Sequence, residues 1–190
     1  MTRVEAYQEL QSLIKNQNLI KHHLACEACM RALYHRIHPA DANPAEEERW
    51  GIVGLLHDAD YELTKDKPER HTLELESRIG NKLDEDQMHA IKAHNWAANG
   101  VEPQNALDWS IYCCDELTGL IIAATLIHPD KKLSSVTLDF ILNRFKETSF
   151  AKGANRDQIT ACVEHLGIPL NEFIEICLKA MQGISGELGL

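Results

Sequence analysis

Residues 44–58 read Pro44-Ala45-Glu46-Glu47-Glu48-Arg49-Trp50-Gly51-Ile52-Val53-Gly54-Leu55-Leu56-His57-Asp58. Proline at a first helical position loses no hydrogen bond, and three carboxylates behind it face the positive end of the helix dipole, so a helix starts here. Trp50, Ile52, Val53, Leu55 and Leu56 then make it a buried helix. It ends on His57-Asp58, which delivers two polar side chains to the inner end of an apolar run. A buried carboxylate without a partner is strongly disfavoured. The pair therefore has two readings: it ligates a metal, or His57 simply hydrogen-bonds Asp58 or caps the helix.

Outward from that helix, helical periodicity runs nearly everywhere and strand signals are almost absent. Val4 to Lys15 is a short amphipathic helix, and Asn18 caps a second that reaches about Ile37 and closes at His38-Pro39. A polar connection through Pro68 leads to a helix around His71 to Ile79, broken at Gly80-Asn81. Asp84 starts another, ending near His94-Asn95. Pro103 opens a long helix through Trp109 and Asp115 to Ile127, ended by His128-Pro129. Three more follow: Ser134 or Ser135 through Lys146, Asn155 through His165 with a stop at Gly167, and Asn171-Glu172 toward Leu190. With no repeat, low-complexity tract or glycine/serine linker, the expectation is one all-α domain over residues 1–190.

The chain has 190 residues, 44% apolar and 25% charged, which excludes disorder, collagen-like repeats and a disulfide-stapled miniprotein. Its net charge of −10 offers no counterion release, so long nucleic acid is excluded as a tight partner. A small phosphorylated substrate stays open if something local supplies positive charge. Cys26-x-x-Cys29 looks like half a zinc site, but no second thiol pair follows, and the six cysteines read as small buried core residues. The start, Met1-Thr2-Arg3-Val4-Glu5, lacks a signal-peptide pattern. The most apolar stretch, Ile111 to Ile127, carries Asp115 and Glu116, too polar for a spanning helix. No membrane association and a cytoplasmic location are expected.

Ten histidines are unusual only through their placement. His35, His38, His89, His128 and His165 fall on polar faces or helix ends, where an imidazole is cheap. Asp115 lies within an apolar helix, and no lysine or arginine occurs between Lys92 and Lys131, so a metal cation suits it better than a salt bridge. His22 shares its helix face with Cys26, Cys29 and Leu33, while His23 shares its face with Glu27, Met30 and Tyr34. His22 therefore points inward, and His23 stands behind it or is exposed. His71 and His94 have apolar neighbours and complete an ordered set: His22, His57-Asp58, His71, His94, Asp115. Imidazoles and carboxylates suit Fe, Mn, Co, Ni or Zn. Four nitrogens and two carboxylates are enough for two such ions, with Asp58 placed to bridge.

The motifs Ile20-Lys21-His22-His23, Leu55-Leu56-His57-Asp58 and Cys114-Asp115-Glu116-Leu117 resemble those of the HD-domain metal-dependent phosphohydrolases. The resemblance covers about residues 18–130 and implies a helical bundle with the metal-binding core there and C-terminal helices, 131–190, packed on it. The whole chain is similar to small predicted HD-superfamily hydrolases. His71 and His94 resemble the extra ligands of a six-ligand, two-metal subset, which includes dinucleoside-polyphosphate hydrolases, cyclic-di-nucleotide phosphodiesterases and a few di-iron oxygenases. The Gly-Tyr-Pro signature of the cyclic-di-nucleotide branch is missing. Instead of the Gly-Lys that often follows the pair, this chain has Ala59-Asp60-Tyr61, with Lys65 further on.

The implied activity is hydrolysis of a nucleotide or other small phosphoester by metal-activated water, with one or two divalent transition-metal ions as cofactor. Asp58 would hold the metals, and Asp60 or Glu62 would orient the water. Lys65 and Lys152, with Arg144, Lys146 and Arg156 beside them, are the candidates for meeting phosphate. Tyr61 or Trp96 would stack a base, and Phe150-Ala151-Lys152-Gly153 would form a lid. Two rivals share the same ligands: a di-iron oxygenase, and a regulatory module that binds a nucleotide without turnover.

Overall fold

In the computed structural model, which describes all 190 residues, the chain is helical throughout. The helices are α1 (Arg3–Leu13), α2 (Gln17–Ile37), α3 (Pro44–Leu56), α4 (Tyr61–Thr64), α5 (Leu73–Ile79), α6 (Glu85–His94), α7 (Trp96–Asn99), α8 (Ala106–Ile127), α9 (Leu138–Lys146), α10 (Arg156–His165), α11 (Leu170–Gly183) and α12 (Ser185–Leu188). One apolar cluster extends from Ala6 on α1 to Leu188 on α12, so the bundle is a single all-α domain.

The predicted helices are present, with shifted ends. Asn16, not Asn18, caps α2: its side chain accepts from the Asn18 amide. Pro103 lies outside α8, whose cap is Asn105, and Thr137 rather than Ser134 or Ser135 caps α9. His71 lies not on a helix but in the turn between a 3-10 segment, Pro68–Arg70, and α5. The last helix stops at Gly183, followed by the short α12. In most of these cases the backbone amides took an asparagine or threonine one or two residues away from the expected position, because side-chain reach decides a cap.

Helix α2 packs along α3, and α8 runs among α2, α6 and α10. By length and composition α8 could cross a membrane, yet here it is the central helix of the bundle, with Leu107, Ile111, Leu117, Leu120 and Ile121 buried. The α2–α3 approach depends on Gly54: a Cβ there would lie 2.6 Å from the Cys26 carbonyl oxygen and 2.8 Å from the Glu27 amide nitrogen. Those are backbone atoms that cannot step aside. The close crossing sets His22 on α2 against His57 at the end of α3.

Candidate metal centre

Five parts of the fold bring six side chains to one place. His22 comes from α2, His57 caps α3, Asp58 follows it, His71 stands before α5, His94 ends α6, and Asp115 lies mid-way along α8. In the first cluster, Nε2 of His22 and Nε2 of His57 are 3.2 Å apart. Asp115 Oδ1 lies 3.0 Å from the former and 3.3 Å from the latter. In the second, Nε2 of His71 and Nε2 of His94 are 3.1 Å apart, and Asp58 Oδ1 lies 2.9 Å and 3.1 Å from them. The other oxygen of Asp58, Oδ2, faces the first cluster at 3.9 Å from His22 and 3.8 Å from His57. Asp58 thus turns one oxygen to each set. Separations near 3 Å are what donors about 2.0–2.2 Å from a shared ion produce.

The far nitrogens show that the convergence is built. Nδ1 of His57 donates to the Gly54 carbonyl at 2.9 Å, Nδ1 of His94 to the Ile91 carbonyl, and Nδ1 of His71 to Asp60 Oδ1 at 2.7 Å. Thr118 donates its hydroxyl hydrogen to the Asp115 carbonyl at 2.8 Å, so its oxygen accepts from His22 Nδ1 at 3.1 Å. Each Nδ1 meets an acceptor and must carry the hydrogen, so in the neutral ring the lone pair is on Nε2. Four imidazoles held in one tautomer, lone pairs inward, are the arrangement a metal ligand requires. These residues fit one or two divalent transition-metal ions.

Electrostatics agree. Burial opposes charge on His57, but Asp58, Cys26 and Asp115 raise it to about 9; burial likewise opposes charge on His71, while Asp58 and Asp60 raise it to about 10. Burial would push the Asp58 and Asp115 carboxyls up, yet the surrounding imidazoles hold both well below the usual carboxylate range. The two carboxylates stay ionised, and the cluster favours positive charge among them.

Comparisons with protein-family models, curated proteins and solved structures return no match.

Several expected roles change. Asp60 does not face the cluster: it is fully buried behind His71, one oxygen on Nδ1 and the other accepting from the Leu75 amide at 3.0 Å. It therefore positions a ligand and cannot orient a water. Glu62 accepts from the Lys15 and Asn16 amides, both at 2.9 Å, and is spent holding the turn before α2. His23 is buried beside His57, ring centroids 5.3 Å apart, with neither nitrogen bonded to a protein partner. His89 is half-buried, 2.9 Å from Asp108 rather than on a free polar face. Cys26 Sγ lies 3.8 Å from His22 Nε2 and 3.9 Å from its Nδ1. The sulfur expected to be only a core atom is therefore also one of the donors gathered at the first cluster, with His22, His57 and Asp115.

Beyond the second cluster a cavity of about 280 Å³ opens, lined by Tyr61, Lys65, Asn95, Tyr112, Glu116 and Gln158 among others. Lys65 is the one lysine or arginine on its lining. A second, more open depression on the His22 side is lined by Glu116, Gly119, Ala151, Gly153 and Ala154. Lys152 stands exposed on that loop and lines neither space. Arg156 is unavailable to substrate, because its guanidinium donates to the carbonyls of Phe150, Ala151 and Ala154. Arg144 pairs with Glu147. The 150–153 segment expected as a lid is tied down by Arg156. Trp96 packs edge-on to Trp109, outside the cavity lining, so of the two aromatics expected to stack a base only Tyr61 lines it.

Proposed function

We propose that this chain is a metal-dependent phosphohydrolase of the HD-domain type, acting on a small phosphorylated substrate. The supporting observation is the division of Asp58: one carboxylate oxygen on the His71–His94 pair, the other toward the His22–His57–Asp115 set. Ions held there would supply a water ionisable near neutral pH and positive charge beside the phosphoryl oxygens. The chain is acidic overall, so that local charge is what would draw a phosphate to it. Its own residues do the rest. Thr118, Gly54, Asp60 and Ile91 fix the four rings, and Asp58 and Asp115 stay ionised between them. Lys65 meets the phosphate from the cavity wall.

The test is elemental analysis of protein purified without chelator, alongside His71→Ala. Two ions per chain in the wild type and one in the variant are expected. The metal-loaded wild type should hydrolyse p-nitrophenyl phosphate under argon as fast as in air. Turnover that needs dioxygen, or no metal even after reconstitution, would overturn the proposal.

A further inference from the structure

We propose that Cys26 is a ligand of the first ion, so that the two halves of the centre take different metals. One half holds a zinc-type ion through His22, Cys26, His57 and Asp115. The other holds a harder ion, iron or manganese, through His71, His94 and Asp58 and without sulfur. The inference rests on the metal centre and not on the reaction that the centre performs.

The placement begins in the sequence. His22 and Cys26 are four residues apart on α2, so they share one face of the helix, a turn apart. The α2–α3 crossing fixes that turn: Gly54 meets the Cys26 carbonyl itself, which sets the Cys26 backbone against the end of α3 that delivers His57. As a result one donor atom from each of His22, Cys26, His57 and Asp115 lies within 4.8 Å of the other three. Donors on one tetrahedral ion, with sulfur at about 2.3 Å and nitrogen at about 2.0–2.1 Å, stand about 3.5 Å apart. The Cys26 sulfur is 3.8 Å from His22 Nε2 and 3.9 Å from Nδ1, so it stands beside the ring and meets an ion on Nε2 by turning about its Cα–Cβ bond. No short hydrogen bond holds it where it is. Its contact with the Thr118 hydroxyl is 3.6 Å, and that hydroxyl already donates to the Asp115 carbonyl and accepts from His22. None of the other five cysteines, all buried, belongs to either donor group, and Cys29 sends its thiol to the Cys177 carbonyl instead.

Sulfur decides which metal fits. A thiolate is a soft ligand and selects zinc over manganese or magnesium, which prefer oxygen. The first group combines that sulfur with two imidazoles and a carboxylate, a full set of four protein donors for a tetrahedral ion. The second group has two imidazoles and one carboxylate oxygen, with His71, His94 and Asp58 all on the wall of the 280 Å³ cavity. Three donors beside an open space leave positions for water and give no preference for a soft ion.

The experiment exchanges the full chain into cobalt(II) and records its absorption spectrum, because a thiolate on cobalt gives an intense near-ultraviolet charge-transfer band that imidazole and carboxylate do not. The band should appear in the wild type and in Cys29→Ser and be absent from Cys26→Ser. Zinc affinity should fall in Cys26→Ser by about 100-fold, the upper end of what loss of an outer partner costs, with manganese affinity unchanged. Serine at a buried position can disturb folding, so X-ray absorption on the wild-type zinc protein gives a reading that needs no variant: a sulfur neighbour at about 2.3 Å is expected. Cobalt bound without the band, a band that survives in Cys26→Ser, or zinc without a sulfur neighbour overturns the inference. Turnover of p-nitrophenyl phosphate is recorded on the same samples. A sulfur-bound ion without turnover supports the assignment of Cys26 and overturns the hydrolase reading; turnover with no sulfur on the metal does the reverse, and no metal uptake overturns both.

Discussion

Asp60 Oδ1 lies 2.7 Å from His71 Nδ1, and its second oxygen accepts from the Leu75 amide at the start of α5. One fully buried carboxylate thereby couples a candidate metal ligand to the helix that follows it. Asp60→Ala removes the acceptor and frees the ring to rotate. Loss of such an outer partner weakens metal binding by about 10–100-fold. The expected outcome is selective: competition with a chelator should strip the His71–His94 ion from the variant at lower concentration, while the ion bound by His22, His57 and Asp115 is retained. Equal weakening of both would show that Asp60 acts on the fold as a whole.

Gly54→Ala would place a methyl 2.6 Å from the Cys26 carbonyl oxygen, so α3 must move away from α2. Overpacking of this kind costs about 1–3 kcal/mol, and for a chain of this size each kcal/mol lowers Tm by about 2–4 °C. Because His22 and His57 lie across this crossing, first-cluster metal should be lost together with the stability. Differential scanning calorimetry with metal analysis on the same sample checks both.

Arg156→Lys keeps the charge but cannot serve carbonyls at positions 150, 151 and 154 together, as the planar guanidinium does. Each carbonyl left without a donor costs about 1–3 kcal/mol where water cannot reach it. Hydrogen exchange should speed up over residues 147–155, where Ala151 already holds a positive φ of 43°, and stay unchanged in α2 and α3. A uniform increase would contradict a local clamp.

Asp84 caps α6 and accepts from Arg49 Nε at 2.8 Å. Burial tends to raise its carboxyl, but Arg49 and the Gln87 amide outweigh that and hold it below the usual range. A carboxyl lowered in the folded state stabilises it above the unfolded value, about 3.9, and that contribution is lost as pH falls through the folded value. Asp84→Asn keeps the cap oxygen and removes the charge. Its Tm should lie below wild type at pH 6 and converge on it as pH falls below about 4; a gap that persists at low pH would assign the effect to the cap instead.

The sequence by itself determined the helical class, the buried helix ending in His57-Asp58, and the identity of the six side chains that meet. Each of these depends on local pattern: apolar periodicity, a proline and carboxylates at a helix start, and polar groups in places where hydrocarbon surrounds them. Tertiary structure alone decided what the neighbours of those six do. Asp60 and Glu62 are two residues apart and looked equivalent, yet the turn after α3 puts Asp60 beneath His71 and sends Glu62 to the amides before α2. Arg156 read as a free cation until the loop before it wrapped its carbonyls around the guanidinium. Gln158 carried no signal at all, because it reaches the cavity wall only when α10 packs on α8 and the Tyr112 carbonyl takes its amide nitrogen. Helix propensity and burial act within a few residues, whereas the bonds that give a polar side chain its role come from elements dozens of residues away, and only the packed bundle brings them within reach.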